Sequence, residues 1–235
     1  MKTSKAQQEE TRTRIVRSAV DLIVQRGYDA VTMKDIAKAA GIGDATIYKY
    51  FPTKERLIIG YFDAVAEQAV QVARSTPEFD HYDLQSKLQR LTDALLEAMT
   101  PDRAFVEVAR AMLAKSPLLL LGDQLQAKTT LKEAVATYLD AAAANGEIPP
   151  SDYSRAMAGL YADFCYGVIG FWLRDATAHA AETTRLVDQV LGVVVTMLKA
   201  GLPDRLVQLA GFVLRSQLAR VMDRASSGQA QGLSR

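Results

Sequence analysis

Within residues 44–50 the run Asp44-Ala45-Thr46-Ile47-Tyr48-Lys49-Tyr50 gathers hydroxyl, phenol and ammonium tips on consecutive positions. Such tips exchange hydrogen bonds with base edges and phosphates, and the major groove of a duplex is wide enough for one helix carrying them. Covalent chemistry has poorer material. Cys165 stands in an apolar run and reads as a small packed hydrophobe, which excludes an internal disulfide and any multi-thiolate metal site. His81 and His179 lack the close spacing of a zinc ligand set. No Gly-rich phosphate loop and no Gly-x-Ser-x-Gly elbow is present, so the sequence argues against an enzyme, and no metal or cofactor is expected.

The elements that must carry these tips are helices. Seven prolines punctuate stretches rich in Ala, Leu, Gln, Glu, Lys and Arg, all good helix formers. Alternating strands bounded by Asn-Gly or Asp-Gly turns are missing. The chain reads as all-α, with about nine or ten helices. A first helix is predicted over 11–25, with Ile15, Ala19, Leu22 and Ile23 on one face and Gly27 as its C-cap residue. Thr32-Met33-Lys34-Asp35 fits a capping box, and Ile36, Ala37 and Ala40 then face inward. Gly41-Ile42-Gly43 makes a turn, 44–50 a short third helix, and 54–73 a longer fourth one beyond Pro52. Two short helices joined by a tight glycine turn form a helix-turn-helix pattern. Ala37, Ala40 and Gly41 let the pair cross closely, and Ile42 and Ile47 plug the core beneath. The charge is +1 overall but uneven. Residues 1–60 hold 11 basic and 7 acidic side chains, against 17 and 20 in residues 61–235, which suits an anionic partner for the first segment.

Residues 11–60 resemble the DNA-binding domain of the TetR family of bacterial transcriptional regulators. The matching residues are Gly27-Tyr28, Thr32, Ile36-Ala37, Ala40-Gly41, Thr46, Ile47-Tyr48, Tyr50-Phe51, Lys54 and Leu57. The resemblance implies that 44–50 is the recognition helix. Ala45, Thr46, Lys49 and Tyr50 then face bases or flanking phosphates, and Tyr48 reaches a phosphate. Thr32 and Lys34 touch phosphate or a nearby base, and Lys54 meets a phosphate with the aid of its helix N-terminus. Two positions depart from the family pattern. Gly43 replaces a common hydroxyl, and Asp44 puts an acid where a polar or basic residue is more usual. Asp44 suits helix capping, the preferred reading, and also suits a cytosine amino group. Arg12, Arg14, Arg17, Lys2 and Lys5 are expected to add a mobile basic arm.

The remainder resembles the family's effector-binding and dimerisation domain in length and helix order. Helices are predicted over 83–99 (inner face Leu84, Leu88, Leu91 and Leu95), 101–115, 118–145, from Ser151 or Asp152 to 174, over 180–199, and over 204–224. The helix before 174 is apolar on two sides. Met157, Leu160, Phe164, Val168 and Phe171 share one face, and Ala156, Gly159, Asp163, Gly167 and Gly170 another. The next helix adds Leu186, Val190, Val193, Val194 and Met197. A doubly apolar helix must bury both sides, one of them against a partner. The resemblance implies a homodimer built as a four-helix bundle. The extra helix, with Leu206, Leu209, Val213 and Leu214, either widens that interface or covers it. An effector pocket is expected among the middle helices, with Phe105, Arg110, Met112, Leu113, Tyr138, Tyr161, Phe164, Cys165, Tyr166 and Trp172 as candidate lining. These point to an apolar or amphipathic effector, and Arg110 to a carboxylate or a buried acid.

The domain reading is 1–60 for the DNA-binding unit, 61–225 for the effector and dimer unit, and 226–235 for a flexible tail. The expected function is a homodimeric regulator of transcription, a repressor released from a near-palindromic double-stranded DNA operator by a small-molecule effector. Activation is the alternative within that class, and an enzyme or a scaffold that has lost DNA binding are the competing classes. Residues 1–10 lack the apolar core of a signal peptide, and the stretch 190–198 is too short to cross a bilayer, so a cytoplasmic protein with no membrane partner is expected.

Overall fold

A computed structural model describes residues 5–114 and 125–205. Nine complete α-helices lie within the described residues, residues 202–205 begin a further one, and no strand occurs among them. They are α1 (Lys5–Arg26), α2 (Met33–Ala39), α3 (Asp44–Tyr50), α4 (Lys54–Arg74), α5 (Leu84–Met99), α6 (Arg103–Ala114), α7 (Gln126–Ala144), α8 (Ser154–Trp172) and α9 (Ala181–Lys199). Three short 3-10 turns stand before α5, α6 and α9.

Local signals set most boundaries. Thr32 is the N-cap of α2 and its side chain accepts from the Asp35 N–H, while Asp35 accepts in return from the Thr32 N–H at 3.0 Å. This is the capping box read from the sequence. Asp83 caps α5 through the Ser86 N–H at 2.8 Å. Gly27 closes α1 with its N–H on the Ile23 carbonyl. α1 starts earlier than the apolar periodicity indicates, because 5–10 are good helix formers that are polar all round and carry no 3.6-residue stripe. α8 starts later than expected. Ser151 does not serve as its N-cap, because its Oγ accepts from the Tyr153 N–H and donates to Asp204 at 2.9 Å. α6 begins at Arg103, after a 3-10 turn holding Pro101. The predicted start of the 118–145 helix, most of the 204–224 helix and the tail 226–235 lie outside the described residues.

α1 to α3 pack around Ile15, Ala19, Ile23, Ile36, Ala37 and Ile47, all fully buried or nearly so. α4 continues unbroken past residue 60 into the second bundle. There it packs on α5 and α7, with α8 beyond α7 and α9 against α5 and α8. α1 also reaches α6. Arg17 of α1 pairs with Asp102 at 2.7 Å, in the turn before α6, so the N-terminal unit is tied to the larger bundle at a second place besides α4. No helix among the described residues is long and apolar enough to cross a membrane.

Candidate nucleic-acid interface and effector cavity

The turn between α2 and α3 fixes how α3 is presented. Gly41 has φ +67°, a left-handed conformation that an L side chain resists. Its N–H bonds to the Lys38 carbonyl and the Ile42 N–H to the Ala37 carbonyl, which closes α2 as a Schellman motif. Ile47 then points into the core and Phe51 seals the end of α3, both essentially fully buried. This leaves Asp44, Ala45, Tyr48 and Lys49 exposed and Thr46 partly exposed on the opposite side. Tyr48 is 52% exposed, a large aromatic residue kept in solvent with its hydroxyl outward from the core. Thr32 and Lys34 are exposed at the start of α2, on the same unit. Tyr50 is half-buried and packs against the core, so its ring serves the fold as well.

Two expectations change here. Asp44 is not the cap of α3. Gly43 is the N-cap residue and offers no side chain, while Asp44 occupies the first helical turn and lies 3.8 Å from Lys34. Its carboxylate still favours the positive end of the helix, but without a capping bond. Lys54 does not extend toward solvent. Its Nζ donates to the carbonyls of Tyr28 at 2.5 Å and Val31 at 2.7 Å and lies 3.9 Å from the centre of the Tyr28 ring. The Tyr28 hydroxyl donates to Glu55 at 2.6 Å, which holds the Glu55 carboxyl below its usual range. Burial, then Glu55, push the Tyr28 phenol up. These bonds pin the 27–32 loop, and with it the start of α2, to the first turn of α4.

The basic arm is also largely engaged. The Arg12 guanidinium sits 4.7 Å over the Phe51 ring, and Arg17 pairs with Asp21 and Asp102. Lys5 lies within α1 and Arg14 is exposed on it, while Lys2 is outside the described residues.

A cavity of about 210 Å³ opens among α4, α5, α6, α7 and α8. Arg110, Leu113, Cys165 and Tyr166 line it, as the sequence suggested. The other candidates are used elsewhere. Phe105 is fully buried against Tyr61, with ring centres 4.8 Å apart. Tyr138 meets Phe79 edge to face, with ring centres 5.4 Å apart. Tyr161 is buried with its hydroxyl between Thr92 Oγ1 at 2.7 Å and the Leu88 carbonyl at 2.9 Å. Trp172 lies beneath Arg103, which donates to the carbonyls of Trp172 and Asp175 and so closes the end of α8. Met112 and Phe164 are half-buried against the core without reaching the cavity. A large side chain on an apolar helix face gives no sequence sign of whether it meets another helix or a void.

Among the wall residues that sequence reasoning missed are Ile59, Phe62 and Asp63 of α4 and the Lys128–Asp163 pair, 2.8 Å apart, between α7 and α8. Asp63 left a trace, as an acid within an apolar stretch of α4. Its Oδ1 accepts from the Ala127 N–H at 2.8 Å, and burial raises its pKa. The Cys165 thiol at the back of the cavity is pushed up to about 12 by burial, so it is a neutral packing group and not a nucleophile.

Comparison with known proteins agrees with this architecture. The family model described as "Bacterial regulatory proteins, tetR family" matches residues 15–60. A second, "Tetracyclin repressor-like, C-terminal domain", matches residues 87–213. The chain belongs to the TetR family of bacterial transcriptional regulators. It is 26% identical over 187 residues to the HTH-type transcriptional regulator UidR of Escherichia coli K12, covering 79% of this chain and 93% of that one. Among solved structures it is similar to Salmonella enterica GusR, with a TM-score of 0.59, 25% identity, and coverage of 85% of this chain and 100% of the other. It shares the fold of Thermus thermophilus FadR, solved with lauroyl-CoA, at TM-score 0.57, 22% identity and coverage of 77% and 92%.

Proposed function

We propose that this protein is a homodimeric repressor that leaves a near-palindromic operator when a small apolar or amphipathic molecule enters the cavity. The observation that carries the DNA reading is the outer face of α3. Ala45, Thr46, Tyr48 and Lys49 stand together on a helix short enough for the major groove, braced from behind by Ile47. Thr32 and Lys34 add phosphate contacts beside it.

The dimer reading rests on uncovered apolar surface along α8 and α9. Leu160 is 68% and Val193 62% exposed, and Phe171, Val194 and Met197 on the same two helices are also exposed. Such a continuous apolar face needs a partner, and a second copy joined by a two-fold axis supplies an identical one. Two copies would present two α3 helices to successive major-groove faces. The release reading rests on α4, which carries Ile59, Phe62 and Val65 into the cavity wall and Ile58 into the core shared with α1 to α3. A ligand that favours a shifted α4 would change the spacing of the two heads.

Footprinting on genomic fragments captured by the purified protein tests this. The expected footprint is a near-palindrome with half-sites about one helical turn or more apart. A single asymmetric half-site bound by a monomer would sink the reading.

A further inference from the structure

The cavity wall carries four charged side chains, and three have partners within the fold. Asp63 accepts from the Ala127 N–H, and Lys128 pairs with Asp163. Arg110 differs. Its guanidinium makes no hydrogen bond or ion pair with any described residue, and its Nε is buried without a partner. It rests 5.8 Å from the centre of the Tyr166 ring and against the backbone of α8 at Gly170. A Cβ on Gly170 would fall 2.8 Å from the guanidinium carbon, so only a glycine lets the group lie there. A cation partly withdrawn from water with no counter-ion is costly, and among the described residues only the Tyr166 ring meets this charge.

We propose that Arg110 is the anion-recognition group of the effector site and that the effector is a monocarboxylate with an apolar body. The proposal rests on the cavity being the effector site. A carboxylate matches the planar donor fork of a guanidinium with two parallel bonds. A phosphate dianion would bring two charges to one unpaired cation, with Asp63 and Asp163 in the same wall. The apolar body would lie on Ile59, Phe62, Leu95, Leu131 and Ile169. A cavity of about 210 Å³ is small and suits a ring or a short chain. Contact with Phe62 would place such a ligand directly on α4.

Thermal unfolding of the full chain tests this with benzoate and octanoate against benzamide and octanamide. At least one acid is expected to raise Tm by about 2–4 °C while its amide does not. Arg110→Met should weaken that acid's binding at least tenfold and, without ligand, melt no lower than the wild type. Gly170→Ala keeps the charge but displaces the guanidinium, and should weaken the acid several-fold in a folded protein. Equal shifts for acid and amide, a shift retained in Arg110→Met, or no shift with either acid would overturn the proposal. Release from captured DNA is read separately. An acid that binds through Arg110 but leaves the complex intact keeps the anion site and removes the effector reading.

Discussion

Tyr48 on α3 and Lys54 at the start of α4 are both polar, and they differ in where their polar ends are spent. The Tyr48 hydroxyl has only solvent to meet, whereas the Lys54 ammonium is tied to two backbone carbonyls and a tyrosine ring. Their substitutions should therefore separate cleanly. Tyr48→Phe should leave Tm unchanged and weaken binding to every duplex by about 1 kcal/mol, roughly fivefold, because a phosphate contact carries no sequence information. Lys54→Met should instead destabilise the protein by about 1–3 kcal/mol, since the carbonyls of Tyr28 and Val31 lose their donor. Thr46→Val and Lys49→Ala should change base preference. Titrations over an operator series, with melting curves for each variant, check all of these. A Lys54→Met protein of normal Tm with weakened DNA binding would restore a direct phosphate role. Nothing in the sequence separates the two roles, because both residues fit the family pattern equally well. The hydrogen bonds of Lys54 to the Tyr28 and Val31 carbonyls decide it.

At the scale of elements, α4 and the α8–α9 corner carry the interest. α4 was legible almost to the residue from the break at Pro52, and the structure adds the Thr53 cap that starts it. Its second face was not legible, since lining a cavity and packing on a helix use the same apolar residues. Phe62 is half-buried in that wall, so Phe62→Ala should blunt the change in operator affinity on effector binding, within the usual 5–150-fold range of such coupling, while leaving a folded dimer. An unchanged ratio would take α4 out of the path. The corner is held by Asp175, buried between the helices. Its Oδ1 accepts from Thr177 and its Oδ2 from the Thr183 N–H at 2.8 Å and the Thr183 hydroxyl at 2.7 Å. Bonds from the Thr177 and Thr183 side chains hold its pKa well below the carboxylate range. A depressed folded pKa means the stabilisation is present above the unfolded value of about 3.9 and is lost as pH falls through the folded one. Asp175→Asn should lower Tm at pH 7 and weaken the loss of Tm below pH 4. Parallel wild-type and variant curves across that range would refute this role.

For the whole molecule, the question is how the two units are joined and, in the proposed dimer, doubled. The N-terminal unit is fastened by the continuous α4 and by the Arg17–Asp102 pair, so it has the attachments to move as one body. The uncovered apolar face of α8 and α9 bears on the doubling. Leu160→Asp is expected to leave the fold intact, since that side chain is largely in solvent, and to shift the sedimentation mass from two chains toward one. Operator affinity should fall with it. A variant that remains dimeric would move the interface elsewhere.

The all-helical class, the order of the helices, the capping box at Thr32 and the limits of α3 could be read from the residues, because caps, glycine turns and the 3.6-residue period are local and act within one or two turns. The family could be read as well, through residues spaced along a single short segment. Tertiary structure alone decided which polar groups are consumed inside the fold. Lys54 is spent on carbonyls, Tyr161 on Thr92 and Leu88, and Lys128 on Asp163, while Arg110 finds no hydrogen-bond partner among the described residues. Each of these outcomes depends on atoms brought together from distant parts of the chain. No local rule reports such a meeting, because the free energy of a polar side chain depends on the partner it finds and the water it loses.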